Sequence, residues 1–357
     1  MPYKAETGIV TLDSIKLESG AILHQVEVAF ERAGNREKPA ILICHALTGN
    51  HRAVGTVDEP GWWAGLIGHG GFIDTKDWQV ITMNVLGGCD GTTGPASERS
   101  GVGALYQTDF PLITIRDMVT VQYEALKQLG IRHLHAVIGG SLGGMQTLEF
   151  GIMHPAFMNL LIPLAVTPAL SDYGIAFNAI GRKAIYDDPL WKNGKYTVSA
   201  PPLNGLSTAR MIGMVTYRSR DAFNEKSQRR RIQDESGIGG LEYDVESYLH
   251  YQGEKLTRRF DANSYIYLLK AMDSHDIGRE RDGIESALSK IKAETLFIAY
   301  KDDLLYPPEV MKEAAERLQK FGSRSDFIEI ETKYGHDGFL VEFEKWGPFI
   351  KERLDAD

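Results

Sequence analysis

Cysteine is nearly missing from this chain: 357 residues hold only Cys44 and Cys89. Two thiols cannot form a disulfide framework, and their scarcity fits a reducing cytoplasm, so two free thiols are expected ahead of a Cys44–Cys89 bridge. No apolar run reaches the ~18 residues that a membrane-spanning helix needs, which argues against a membrane span. The start, Met1-Pro2-Tyr3-Lys4-Ala5-Glu6, lacks the apolar stretch of a secretory signal. Basic residues are in deficit. The 39 Lys and Arg stand against 48 Asp and Glu, a formal charge of −9, which argues against a nucleic-acid surface but leaves small anionic substrates open. Repeats, low-complexity tracts and flexible linkers are absent. No histidine–carboxylate cluster has metal-ligand spacing, and His133 and His135 alternate along a strand, so no metal is expected.

What remains is an ordinary globular composition, long enough for one large α/β domain or a core with an insertion. Residues 7–30 alternate as an antiparallel hairpin about Glu18-Ser19-Gly20. Pro39–Cys44, Gln79–Val85, Leu134–Ile138 and Leu160–Val166 read as buried strands, and a helix built on Met118, Val121, Ala125 and Leu129 ends at Gly130. Strand alternating with helix implies a mostly parallel sheet. From Thr167 to Ser289 the chain turns polar, charged and rich in Tyr and Arg, with helices expected near 175–186, 207–217 and 262–272. The core then resumes with strand 295–300, helix 308–319, strand 327–330 and a closing helix over 339–354. The expected division is therefore a core of 1–166 and 290–357 carrying a helical lid of 167–289. Arg229-Arg230-Arg231, the one dense basic run, reads as a solvated helix face ahead of a phosphate contact.

The chain is organised around Gly139-Gly140-Ser141-Leu142-Gly143, which lies between a strand and a helix. A bare Gly-x-Ser-x-Gly also arises as an ordinary turn. Here the strand before and the helix after make it a strained elbow that exposes a serine hydroxyl, and Ser141 is the candidate nucleophile. A serine hydroxyl needs a base to take its proton and an acid to orient that base. In this topology both follow late strands, in the order Ser, Asp, His. Tyr300 is followed by Lys301-Asp302-Asp303, and Ile330 by Tyr334-Gly335-His336-Asp337, which gives Asp303 as acid and His336 as base. The competing reading has His336 capping the closing helix and Asp302 or Asp303 beginning a turn before Pro307. Acyl chemistry also needs backbone donors at the developing oxyanion, and the same topology selects the amides of Leu142 and Leu47. His45, in the loop with Leu47, is expected to be a structural hydrogen-bonder.

Taken together, His45-Ala46-Leu47-Thr48-Gly49, Pro60-Gly61-Trp62-Trp63, Asn84–Cys89 with Gly91-Thr92-Thr93-Gly94-Pro95, Gly139–Gln146, Arg210-Met211-Ile212, Thr216-Tyr217-Arg218-Ser219 and Gly335-His336-Asp337 resemble the homoserine O-acyltransferase family over nearly the whole chain. The resemblance implies an α/β-hydrolase fold and ping-pong acyl transfer from acetyl-CoA through acyl-Ser141 to L-homoserine, on the route to methionine, with no cofactor. It also implies that Arg210 and Tyr217 hold the acceptor's carboxylate and Asp337 its ammonium, and that the lid helices admit CoA and form a homodimer. Thr48 leans the donor toward acetyl; succinyl transfer, or serine as acceptor, are the alternatives within the family. Ala96, where relatives often carry serine, is a departure in the 91–97 loop. Outside the family, the rivals are a general esterase with the same triad and a non-catalytic binding module.

Overall fold

The computed structural model describes residues 5–99, 101, 103–232 and 239–356. Residues 1–4, on which the signal-peptide expectation partly rests, lie outside the described residues. Strands β1 (Glu6–Lys16) and β2 (Ile22–Ala33) form the expected hairpin at one edge of the sheet. Inward of them lie β3 (Ala40–Cys44), β6 (Gln79–Met83), β7 (Leu134–Gly140), β8 (Met158–Leu164), β9 (Glu294–Tyr300) and β10 (Ser325–Ile330), while β4 (Ile67–Gly68) and β5 (Ile73–Asp74) make a separate two-stranded ladder. The eight-stranded order is β1-β2-β6-β3-β7-β8-β9-β10, and every pair from β6 to β10 is parallel.

The central strands read as continuous apolar runs because both faces are covered. Leu42 and Val137 join the core on one face, whereas Ile41, Ile43, Ala136 and Ile138 join the core on the other, with Trp63 and Trp346. Period-two alternation thus divides a single apolar string between two cores.

Helix α1 (Ile115–Gln128) opens with a capping box in which the Thr114 side chain accepts from Asp117 N–H and the Asp117 carboxylate takes the Thr114 N–H at 2.9 Å. It stops at Gly130, whose φ of 79° is the left-handed turn that glycine tolerates. Helix α2 (Leu142–Met153) follows β7 directly.

Among the described residues, six α-helices lie between β8 and β9: α3 (Asp172–Tyr186), α4 (Leu203–Tyr217), α5 (Arg220–Ser227), α6 (Asp244–Thr257), α7 (Ala262–Asp273) and α8 (Ile284–Leu288). Three of these were expected. Helices α5, α6 and the short α8 were not expected; α5 fully buries only Ala222 and Ser227, and α6 only Gly253 and Leu256, with Val245, Tyr248 and Leu249 on its inward face half-buried, so the apolar signal of each is weak.

The arginine run is not a helix face. Helix α5 ends at Ser227, Gln228 and Arg229 turn left-handed, and Arg230 and Arg231 pair with Asp244 and Glu242. The closing segment also differs. After α9 (Pro308–Lys320) and β10, a tight 3-10 turn covers Gly335–Leu340, and α10 (Phe343–Asp355) begins only after Glu342, at φ 51°, breaks the run.

Candidate active site

The elbow is built by backbone contact. A Cβ on Gly139 would lie 2.5 Å from the Gly143 carbonyl oxygen, and one on Gly143 would collide with the Cys44 carbonyl oxygen, so strand and helix can meet only through glycine. Ser141 between them is held at φ 58°, ψ −122°, a conformation that costs an L-residue on the order of 1–3 kcal/mol. Serine at a helix N-cap ordinarily spends its hydroxyl on the first turn, yet Ser141 makes no such bond, so its Oγ is not tied to the helix. Its amide is fixed instead, donating to the Leu164 carbonyl at 3.1 Å.

Asp303 follows β9 and its side chain is fully buried. Its Oδ1 accepts the amides of Leu305 and Tyr306 at 2.9 and 3.0 Å, while Oδ2 meets His336 Nδ1 at 2.8 Å. An ionised carboxylate only accepts, so the imidazole proton sits on Nδ1 and Nε2 is left to accept. The ring of His336 is enclosed by Tyr306, Phe339 and Tyr217, with centroids 5.0, 5.4 and 5.6 Å away. Tyr306 and Tyr217 also line the cavity that contains Ser141. The two tyrosines thus join the serine and histidine sides of the site. The competing turn reading of Asp303 holds in part, since its carboxylate does cap the 303–306 turn, but His336 lies well before α10 and caps nothing there.

Leu142 is the first residue of α2, and Leu47 lies in the turn after β3. Neither amide has an acceptor among the described residues. The two segments are fastened by Gln146, whose Nε2 donates to the carbonyls of Leu142 (2.9 Å) and His45 (3.3 Å) and whose Oε1 takes Gln122 Nε2 at 2.8 Å. The motif Gly139–Gln146 contains Gln146 but no local pattern assigns it this role, because α2 buries two further polar residues, Thr147 and Glu149, beside it. His45 is the structural hydrogen-bonder expected, bonded at both nitrogens, and burial pushes it down to about 4. His133 and His135 are likewise engaged, with Asn159 and the Leu354 carbonyl.

The serine cavity is roofed by α3, α4 and α7, through residues such as Phe177, Ile212, Tyr217, Tyr265 and Leu269. Arg210 lies with its guanidinium 5.6 Å from the Tyr217 ring, and no carboxylate among the described residues is within ion-pair distance of it. Asp337 is held by Arg218 Nε at 3.2 Å. Burial drives the Asp337 carboxyl up while Arg210 and Arg218 oppose that shift, which places three charged groups in one neighbourhood. Arg218 is thus a second functional candidate within a motif whose sequence alone does not reveal its partner. Cys44 and Cys89 are both free thiols, pushed far upward by burial, Cys89 to about 12.

Residues 39–343 match the family model described as "alpha/beta hydrolase fold". The chain is 42% identical to a homoserine O-acetyltransferase of Carboxydothermus hydrogenoformans, covering 98% of this chain and 95% of that one. It is 44% identical to one of Symbiobacterium thermophilum, covering 95% and 90%. Among solved structures, homoserine O-acetyltransferase from Bacillus anthracis superposes with a TM-score of 0.93 at 30% identity over 99% and 98% of the two chains. Esterase E22 superposes with 0.91 at 28% identity over 99% and 100%. Fold similarity alone therefore does not separate transferase from esterase; sequence identity above 40% along almost the full length does. With the serine elbow and the Asp303–His336 pair standing in that fold, the chain belongs to the homoserine O-acetyltransferase family of α/β-hydrolase-fold proteins.

Proposed function

We propose that this chain is a homoserine O-acetyltransferase that works through an acetyl-Ser141 intermediate. Ser141 Oγ attacks the thioester carbonyl of acetyl-CoA while His336 Nε2 takes its proton, and the Leu47 and Leu142 amides receive the oxyanion. Collapse expels CoA, which carries off the proton from His336. The homoserine hydroxyl then gives its proton to His336 and attacks the acetyl ester, and the second oxyanion collapses to O-acetylhomoserine as His336 returns that proton to the departing Ser141 Oγ, which restores both side chains. Asp303 keeps the imidazole in the required tautomer through both halves.

The observation that carries the acceptor assignment is Arg210, whose guanidinium has no carboxylate within ion-pair distance among the described residues and lies 5.6 Å from the ring of Tyr217, a residue on the wall of the serine cavity. A bidentate donor so placed suits an amino-acid carboxylate, and Asp337, steadied by Arg218, suits the ammonium. The segment 167–289 acts as a lid on the core of 1–166 and 290–357 and limits water at the acyl-enzyme. Tyr173 and Ile180 on α3, Val215 on α4 and Tyr251 on α6 are exposed apolar side chains, and they support a homodimer through the lid. No helix among the described residues is long and apolar enough to cross a membrane, which is in keeping with a cytoplasmic enzyme.

The second reading is an esterase, favoured by the likeness to esterase E22. CoA release from acetyl-CoA and succinyl-CoA, measured with homoserine, with serine and without acceptor, separates the readings. Homoserine-dependent release from acetyl-CoA is expected. Steady release without acceptor would make the protein a hydrolase, and release from succinyl-CoA alone would change the donor.

A further inference from the structure

Two peptide units run in series toward the Leu47 amide. The Ala46 carbonyl accepts from His45 Nδ1 at 2.7 Å and from the Gly49 N–H at 2.8 Å. That carbonyl and the Leu47 N–H belong to one planar trans peptide and point in opposite directions, so fixing the first aims the second. The His45 ring can act in only one way. Its Nε2 accepts the Val85 N–H at 3.0 Å, which leaves the proton on Nδ1, and its burial keeps the ring neutral.

The next peptide repeats the pattern. The Thr48 carbonyl shares a peptide plane with the Gly49 N–H and accepts Arg259 Nη1 at 2.7 Å. Arg259 comes from the insertion, just ahead of α7, and no carboxylate among the described residues is within ion-pair distance of it. Its segment is pinned to the core a second time, by the Asp261 N–H on Cys89 Sγ at 3.4 Å. Hydrogen bonds in series polarise one another, so a guanidinium at one end makes the amide at the other a better donor.

We propose that Arg259 and His45 are positioning residues for acyl transfer, aiming the Leu47 N–H at the oxyanion through the Thr48–Gly49 and Ala46–Leu47 peptides. A side chain on the insertion thereby adjusts chemistry performed on the core. The inference rests on the acyl-transfer reading of the site.

The test begins with homoserine-dependent CoA release by the wild type; if this is absent, the acyl-transfer reading fails and the inference falls with it. With that activity in hand, R259M is compared with R259K and H45Q. R259M is expected to slow enzyme acylation and transfer to homoserine by the same factor, about tenfold, short of the ~10²–10³ that loss of a whole oxyanion donor costs. Both KM values stay unchanged, and a trifluoromethyl-ketone analogue of the acyl donor, which forms an oxyanion on Ser141, binds more weakly by that factor. R259K restores part of the rate. H45Q falls further than R259M, and because position 45 is buried, R259M decides the matter if H45Q fails to fold. A rise confined to the KM for acetyl-CoA would make Arg259 a substrate contact and overturn the proposal. So would a lowered Tm with unchanged rates per folded molecule, or an R259M enzyme indistinguishable from wild type.

Discussion

Asp303 and His336 meet at 2.8 Å through Oδ2 and Nδ1, and the other oxygen of the same carboxylate is committed to the amides of Leu305 and Tyr306. The acid cannot rotate away from the base without breaking its own turn. In Asp303→Asn the remaining carbonyl oxygen can still take those two amides while the new NH₂ faces Nδ1 and drives the proton to Nε2. The fold is expected to survive and kcat for CoA release to fall by roughly 10⁴. Steady-state kinetics together with a urea midpoint close to wild type would establish this; a loss under tenfold would remove Asp303 from the triad.

Strain at the nucleophile has an observable counterpart. Ser141→Ala and Ser141→Gly both lack the nucleophile and should release no CoA above background. Only glycine relaxes φ 58°, so Ser141→Gly should be more stable than Ser141→Ala by about 1 kcal/mol, after allowing for the added freedom of its unfolded chain. Equal melting temperatures for the two variants would show that the elbow stores no strain.

Arg210→Ala should raise the KM for homoserine about ten- to a hundredfold, as expected for a lost hydrogen bond to a charged group. The first half-reaction should be spared, because acetyl-CoA does not need the carboxylate site. Stopped acylation and full turnover, measured separately, would reveal the split. Equal losses in both would refute the assignment.

Stability should fall on mild acidification. Burial holds His45 at about 4 in the folded chain against 6.5 when unfolded, so between these values the unfolded state binds the additional proton and gains by it. The contribution is present above pH 6.5 and lost as pH falls toward 4. Burial shifts His51, His154 and His275 in the same direction, which steepens the decline. Urea midpoints across this window should drop with pH, and the slope should be shallower in H45Q.

The parts of the molecule legible in its sequence are those whose burial is continuous or whose backbone is extreme. Pro39–Cys44 reads as a strand because both of its faces are covered, and Gly139 and Gly143 mark the elbow because a Cβ has no room there. The late aspartate and histidine follow from strand order. Helix α6 was not legible, since its inward face of Val245, Tyr248, Leu249, Gly253 and Leu256 is mostly half-buried and is interleaved with polar residues. The Arg218–Asp337 pair joins residues 119 positions apart, and no local pattern encodes such a contact. Arg229–Arg231 misled because charge density resembles a helix face, whereas two left-handed residues had already turned the chain.

Strands β8 and β9 are neighbours in the sheet, so the chain leaves the sheet after Leu164 and returns to it at Glu294 on the adjacent rung. The sheet can close its ladder whatever that excursion contains, since loop-closure entropy rises only slowly with length. The module is therefore exchangeable in evolutionary terms. The excursion can change in length and composition while Ser141, Asp303 and His336 stay where the strands and the turns after them put these residues.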